Sequence, residues 1–348
     1  MQQTDILSVV VVGLGRIAWS THLPALMAHP GYRVSAVIDP VEERLAECKE
    51  KYGTDGYRTL DEALGKSAFD LAVIVSPTCF HAEQSIMALE HGCNVFCDKP
   101  AAMNIQELLR MRAVAQANGR ILEVYQPSRY SGPLLFLKEL IHSGEIGDVF
   151  LVKILRENFT FRNDWQALKK NGGGMLLNYG SHMVDQANFL FDGPGKVLAC
   201  TADKVLSKGD ADDVVKMLIR YGKVTVDIDI NQASADRMFS FAAYGSRGSA
   251  VLPFKSTTWR VRTLKGDLAE GKELHSELAA PGRAYPAAEV DFTEKMVATP
   301  EVQAPVARYY ENLHKAITAG ERLLNTLDET ENLVRMIDLA GELARGNV

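Results

Sequence analysis

No run of about 18 consecutive apolar residues occurs in this 348-residue chain, so no membrane-spanning helix is expected. Basic residues do not outnumber acidic ones: Lys and Arg total 38 against 44 Asp and Glu, a formal net charge of −6. That balance offers no general attraction to nucleic acid or to an anionic lipid surface. Cysteine is scarce. The five present (Cys48, Cys79, Cys93, Cys97 and Cys200) are odd in number and lack zinc-site spacing. They read as reduced thiols of a cytoplasmic protein, not as a disulfide framework or a metal centre. No basic region precedes the first apolar run, which argues against a signal peptide. Internal repeats and low-complexity tracts are also missing. What remains is an ordinary globular composition, 47% hydrophobic and 24% charged. The length suggests two domains.

The most informative residues lie near the start. Val9-Val10-Val11-Val12 leads into Gly13-Leu14-Gly15-Arg16-Ile17-Ala18, a buried strand feeding a Gly-x-Gly-x-x-Ala turn and then a helix. Gly13 permits the tight turn, Gly15 lets the backbone approach a pyrophosphate, and Ala18 allows close helix–strand packing. The free N–H groups at the helix start, around Arg16 and Ile17, suit an anion. Asp39 ends the next apolar strand, 21 residues beyond Ala18. There a carboxylate can accept from both ribose hydroxyls, and it would repel a 2′-phosphate, which favours NAD over NADP. Arg44 is the nearest cation. The plain alternative is a tight strand-to-helix turn followed by a surface Asp.

Strands and helices alternate to about residue 125, which implies a doubly wound parallel sheet with its ligand outside the carboxyl ends of the strands. The loops Ser76-Pro77-Thr78 and Asp98-Lys99-Pro100 leave from those ends. Helices are expected over 40–52, 81–91 and 104–118. Asn104 and Glu107 form a capping signal for the last of these. After Pro127 the pattern changes. Val224, Val226, Ile228 and Ile230 alternate with polar residues, a period of two. Tyr221-Gly222-Lys223 and Gly245-Ser246-Arg247-Gly248 resemble hairpin turns. A mostly antiparallel sheet with a few helices is expected, then a loop-rich stretch over 279–305 and helices over 306–319 and 327–345. The expected division is a dinucleotide-binding domain, 1–126, and a substrate-binding and oligomerisation domain, 127–348.

A second chemical cluster follows Gly172-Gly173-Gly174. If the chain is helical from Met175, then Asn178, His182 and Asp185 share one stripe. The glycines would allow a ligand close to the backbone. Gly180 costs a helix roughly 1 kcal/mol against Ala and asks for a packing reason. No third ligand accompanies His182 and Asp185, so no metal is expected. Lys99 sits at the ligand edge of the sheet, before a proline that a cis bond would shape into a turn. The ordinary alternatives are a satisfied core histidine and a solvated surface lysine. Arg129, Tyr130, Arg162, Trp165 and Tyr179 are candidate substrate contacts.

These residues together resemble the glucose–fructose oxidoreductase / inositol 2-dehydrogenase family. The likeness rests on the glycine turn, Asp39, Pro77-Thr78 with His81, and Asp98-Lys99-Pro100 where the family usually has Glu-Lys-Pro. It continues through Gly144-Glu145-Ile146-Gly147 and the Gly172–Gly174 helix carrying His182. The resemblance implies a Rossmann domain, then an α/β domain with a large open sheet that often joins subunits into homodimers or homotetramers. It implies reversible hydride transfer between nicotinamide and a secondary alcohol of a sugar or cyclitol. Lys99 and His182 match the catalytic lysine and histidine. Gly13, Gly15, Arg16, Ile17, Asp39, Ser76, Thr78, His81, Asp98 and Lys99 fall to the cofactor, and Arg129, Trp165, Tyr179 and Asp185 to the substrate or its support. Asn178 stands where the family most often has Asp. Asn can still hydrogen-bond Lys99 and His182 but carries no charge. Two other outcomes fit the same likeness: a redox-neutral, NAD-using glycoside cleavage, and a non-catalytic dinucleotide-binding regulator.

Overall fold

A computed structural model describes residues 6–266, 278 and 290–346. The first five residues, and 279–289 of the expected loop-rich stretch, lie outside them.

Six strands build the first sheet: β1 (Leu7–Val12), β2 (Tyr32–Ile38), β3 (Asp55–Tyr57), β4 (Leu71–Ile74), β5 (Asn94–Cys97) and β6 (Leu122–Val124). Their order is 3-2-1-4-5-6 and every pairing is parallel. The order reverses between β1 and β4, the switch point at which such sheets take ligands. β1 is apolar throughout because both its faces are covered. Val10 and Val12 pack under α4 (His81–Glu90) and α5 (Ile105–Ala117), with α3 (Leu60–Leu64) alongside. Val9 and Val11 face α1 (Leu23–Ala28). Between the glycine turn and α1 runs a wide π-type turn, Ala18–His22. The cap of α2 (Glu42–Tyr52) is Val41, two residues later than the expected cap at Asp39, and Gly53 ends the helix in the left-handed region. Asn104 Oδ1 accepts from Glu107 N at 3.0 Å, while Glu107 Oε2 reaches Met103 N at 2.9 Å, one residue before the cap.

The second sheet has eight strands: β7 (Val149–Glu157), β8 (Lys196–Asp203), β9 (Val214–Tyr221), β10 (Val224–Asn231), β11 (Phe239–Gly245), β12 (Gly248–Pro253), β13 (Thr258–Leu264) and β14 (Phe292–Ala298). The order is 14-13-12-11-7-10-9-8 and only β7–β10 is parallel. Both expected hairpins are present, Tyr221 opposite Val224 and Gly245 opposite Gly248. β14 replaces part of the expected loop, because its register against β13 satisfies its backbone groups. One face of the sheet is covered by α6 (Gly132–Ser143), α7 (Ser181–Leu190) and α9 (Leu327–Gly346).

The two sheets fall on either side of residue 126, but the last helices do not respect that division. α8 (Pro305–Ala319) returns to the first sheet, where Tyr309 and Tyr310 are fully buried against Phe96 and Tyr125. α9 touches both sheets. Among the described residues no helix is long and apolar enough to cross a membrane, and no group of three or more His, Cys, Asp or Glu is placed to hold a metal ion.

Candidate active site

The carboxyl ends of β1, β2, β4 and β5 open into a cleft of about 600 Å³, roofed by the 162–182 segment of the second domain. Its floor is the glycine turn. Gly13 has φ +95°, and a Cβ there would lie 2.8 Å from Ser76 N. A Cβ on Gly15 would meet only open space, so the backbone is bare where a phosphate would approach. Arg16 and Ile17 line the same floor.

Asp39 is almost completely buried beside this turn. Its carboxylate accepts from Leu14 N at 2.8 Å, Val41 N at 3.0 Å and Arg44 Nη1 at 3.2 Å. A carboxylate offers about four lone-pair positions, so one is left. The two ribose hydroxyls expected at Asp39 would share the remaining position or displace the exposed Arg44 side chain. The competing groups are its own turn and Arg44.

Ser76, Thr78, His81 and Asp98 also line the cleft. His81 acts from behind the wall. Its Nδ1 and Nε2 lie 2.8 Å from Pro100 O and Ser76 O, tying together the loops after β4 and β5. Burial lowers its pKa. The Lys99–Pro100 bond is cis.

Lys99 and Asn178 meet across the domains. Lys99 Nζ donates to Asn178 Oδ1 at 2.7 Å and to its carbonyl at 3.3 Å. Asn178 sits on a second π-type turn, Leu176–Gly180, which leads into α7. Its Nδ2 donates to Gln166 Oε1 at 3.3 Å, so Asn178 does not bridge Lys99 to His182. The histidine instead has Ser128 Oγ at 3.1 Å from Nδ1. Desolvation pushes Lys99 down to about 8, against Asp98 and helped by Arg156, Arg16 and Arg162. Desolvation, then Lys99 and Arg156, hold His182 well below its ordinary value. The ring is therefore neutral at pH 7.

Trp165 and Tyr179 line the cleft, as does Arg162, which pairs with Asp164 at 2.9 Å. Arg129 and Asp185 do not. They are buried in each other: Arg129 Nε and Nη2 grip the Asp185 carboxylate at 2.7–3.0 Å, and Nη1 reaches Glu329 at 3.1 Å. The expected substrate contact of Arg129 is corrected to a structural role, and Asp185 does not touch the cleft but takes the supporting role that its motif position implies. The expected single stripe is broken: Asn178 lies on the π-type turn, α7 begins only at Ser181, and Asp185, three positions past His182, points into the protein. The three glycines are also corrected. A Cβ on Gly172, Gly173 or Gly174 would strike Thr78, Gln166 O or Asp212 at 2.2–2.6 Å, so the close approach on that side is to protein, and only Gly172 of the three also lines the cleft. Gly180 packs near Ile337 of α9.

Residues 7–126 match the model described as "Oxidoreductase family, NAD-binding Rossmann fold", and 134–251 match the GFO/IDH/MocA C-terminal domain. The chain belongs to the GFO/IDH/MocA oxidoreductase family. It is therefore an oxidoreductase of a family whose N-terminal domain is an NAD-binding Rossmann fold. Relatives include the scyllo-inositol 2-dehydrogenase (NADP(+)) IolW of Bacillus subtilis, 24% identical over 99% of this chain and 95% of that one. The D-glucoside 3-dehydrogenase of Escherichia coli is 27% identical over 54% and 55%. The WlbA dehydrogenase of Bordetella pertussis, solved with NADH and UDP-GlcNAcA, shares the fold at TM-score 0.78 and 17% identity, covering 100% of this chain and 98% of that one.

Within this family site, three participants carried no sequence signal strong enough to find them. Ser128 follows a domain junction without periodicity. Arg156 is an exposed residue near the end of β7, on the same face as the buried Val152 and Ile154, and stacks on Tyr179 with its guanidinium carbon 3.8 Å from the ring centre. Gln166 lies in a loop.

Proposed function

We propose that this protein is an NAD-dependent dehydrogenase of a secondary alcohol on a sugar, cyclitol or sugar derivative. One observation carries the reading: Lys99 and His182 stand in the same cleft as the glycine turn. The names of the inositol and glucoside dehydrogenase relatives support the substrate class. Residues 1–126 would hold the cofactor, and 127–348 the substrate and the contact between copies.

The cleft fits a dinucleotide. Gly13, Gly15, Arg16 and Ile17 would hold the pyrophosphate, Asp39 a ribose hydroxyl, and Ser76, Thr78 and Asp98 the far end. When bound, the nicotinamide supplies the two-electron acceptor or donor. Everything else falls to the chain. Protonated Lys99 gives two N–H groups to Asn178 and keeps the third for the oxygen of the reacting alcohol, where it stabilises developing negative charge. If Ser128 Oγ accepts from His182 Nδ1–H, Nε2 is free to take the hydroxyl proton. Asn178 orients Lys99 without neutralising it.

The preference for NAD rests on Asp39, tempered by the Arg44 guanidinium at the same spot. A cytoplasmic setting suits the five free cysteines. A second copy would sit on the open face of the eight-stranded sheet, where Leu198, Phe292 and Met296 are exposed. Met296→Lys should then shift the sedimentation of the assembly.

The test is production of reduced nicotinamide from a panel of cyclitols, aldoses, sugar acids and glycosides, beside the His182→Ala variant. A signal that disappears in the variant supports the dehydrogenase. Product formed without net reduced cofactor would replace it with redox-neutral cleavage. Tight NAD binding with no product from any compound would replace it with a regulator.

A further inference from the structure

Charge is distributed unevenly along the cleft. The cations on its walls are Arg16, Arg44, Lys99 and Arg162, with Arg156 stacked on the Tyr179 ring. The carboxylates are Asp39, Asp98 and Asp164, and each is already engaged. Asp39 is held by Arg44 and two backbone N–H groups. Asp98 Oδ1 takes the backbone N–H of Lys99 at 2.9 Å. Asp164 is shared between Arg162 and Gln166 N. Arg16 at the glycine turn belongs to the cofactor's phosphates. At the opposite end Lys99 and Arg156 have no ion-pair partner among the described residues. The ammonium rests on the neutral Asn178, and the guanidinium donates to Tyr179 Oη at 2.6 Å.

Lys99 lines the cleft and Arg156, itself exposed, flanks it through Tyr179; like charges placed so repel each other and attract anions. Their effect is visible in the site itself: after burial, and against Asp98, the guanidinium groups of Arg156, Arg16 and Arg162 push the Lys99 ammonium down. A neutral polyol would leave this excess positive charge in place. A negatively charged group on the substrate would relieve it, and the planar guanidinium fork matches an oxyanion geometrically.

We propose that the substrate is an anionic sugar or polyol, its acidic group held by Arg156 and Arg162 at the Lys99 end of the cleft. This deepens the dehydrogenase reading and rests on it for which end of the cleft receives substrate. The shared chemistry is an oxyanion on a hydroxylated carbon skeleton. Carboxylate and phosphate are the two sources, and the experiment separates them.

The test is calorimetric binding to the NADH-loaded protein of matched pairs: glucuronate and glucose, galacturonate and galactose, mannuronate and mannose, and the 6-phosphate of each neutral sugar. At least one anionic member should bind about 10- to 100-fold more tightly than its neutral partner, the range for a charge-assisted contact. A carboxylate winner and a phosphate winner name the two sources. Arg156→Gln with Arg162→Gln should bring the pair to near parity with NADH affinity unchanged, and Arg156→Lys should keep most of the preference. Equal or tighter binding of the neutral partner in every pair, binding by none of the compounds, or a preference unmoved in the double variant would overturn the proposal. Turnover confined to neutral sugars would sink it and leave the dehydrogenase standing. Tight, Arg-dependent binding of an acid with no turnover would support it and sink the dehydrogenase instead.

Discussion

Asn178→Asp probes the electrostatics of the site most sharply, because it adds one charge at a known distance. Asn178 Oδ1 lies 2.7 Å from Lys99 Nζ, and the wild-type lysine is pushed down to about 8 by desolvation. A carboxylate in contact raises a lysine pKa by about 1–3 units, so the variant lysine should titrate near 9–11. Lys99 must be protonated to stabilise the alkoxide. The alkaline limb of kcat/KM should therefore lie near 8 in the parent and about 1–3 units higher in the variant. A substrate-independent assay is amine labelling of Lys99 followed by peptide mapping. At pH 7 about a tenth of a lysine with pKa near 8 is neutral, and the variant should label at least about tenfold more slowly. A limb and a labelling rate that stay where they are would refute the reasoning, and so would a shift to lower pH.

Four further outcomes follow from the same structure. Arg129→Met leaves the buried Asp185 carboxylate without its partner and should cost about 3–5 kcal/mol of stability in denaturant titration; a loss below about 1 kcal/mol would contradict the buried-pair reading. Glu123 is buried with one carboxylate oxygen unpartnered, and burial raises it to about 8. The native state therefore binds this proton more tightly than the unfolded chain, and its contribution is complete below about pH 4.5, fades up to about 8 and is then gone. Glu123→Gln should flatten that fall, read as unfolding midpoints between those pH values. Arg44→Gln should lower NADP affinity more than NAD affinity, because it removes the cation paired with Asp39; an equal loss for both would remove Arg44 from cofactor choice. Ser128→Ala should lower kcat more than it raises KM if the hydroxyl fixes the His182 tautomer, and Ser128→Thr should restore most of the rate.

The sequence was most legible where local chemistry determines structure. The Val9–Val12 run, the glycine turn and Asp39 specify a strand, a turn and a second strand end with little help from the rest of the fold. The alternation over 224–230 marks a half-covered strand in the same way. It was least legible where a side chain's partner comes from far away. Arg129 and Asp185 are 56 positions apart, and nothing in either neighbourhood shows that each neutralises the other inside the protein. The Gly172–Gly174 run signals close approach, but sequence does not say whether a ligand or Thr78, Gln166 and Asp212 approach it. β14 carries no clear strand signal because only Val297 of it is even half-buried, and its stability comes from pairing with β13. The return of α8 to the first sheet is equally non-local. Its tyrosines complete an aromatic cluster around Phe96 that begins more than 200 residues earlier in the chain.

The central claim is that Lys99 does chemistry at the cofactor's edge. The most direct measurement is the rate of reduced-nicotinamide formation by Lys99→Met beside the parent, on whichever sugar or cyclitol the parent oxidises, with NADH affinity measured on both. The account predicts a fall of about 10²- to 10⁴-fold with cofactor affinity little changed. A variant that keeps more than about a tenth of the parental rate would contradict it.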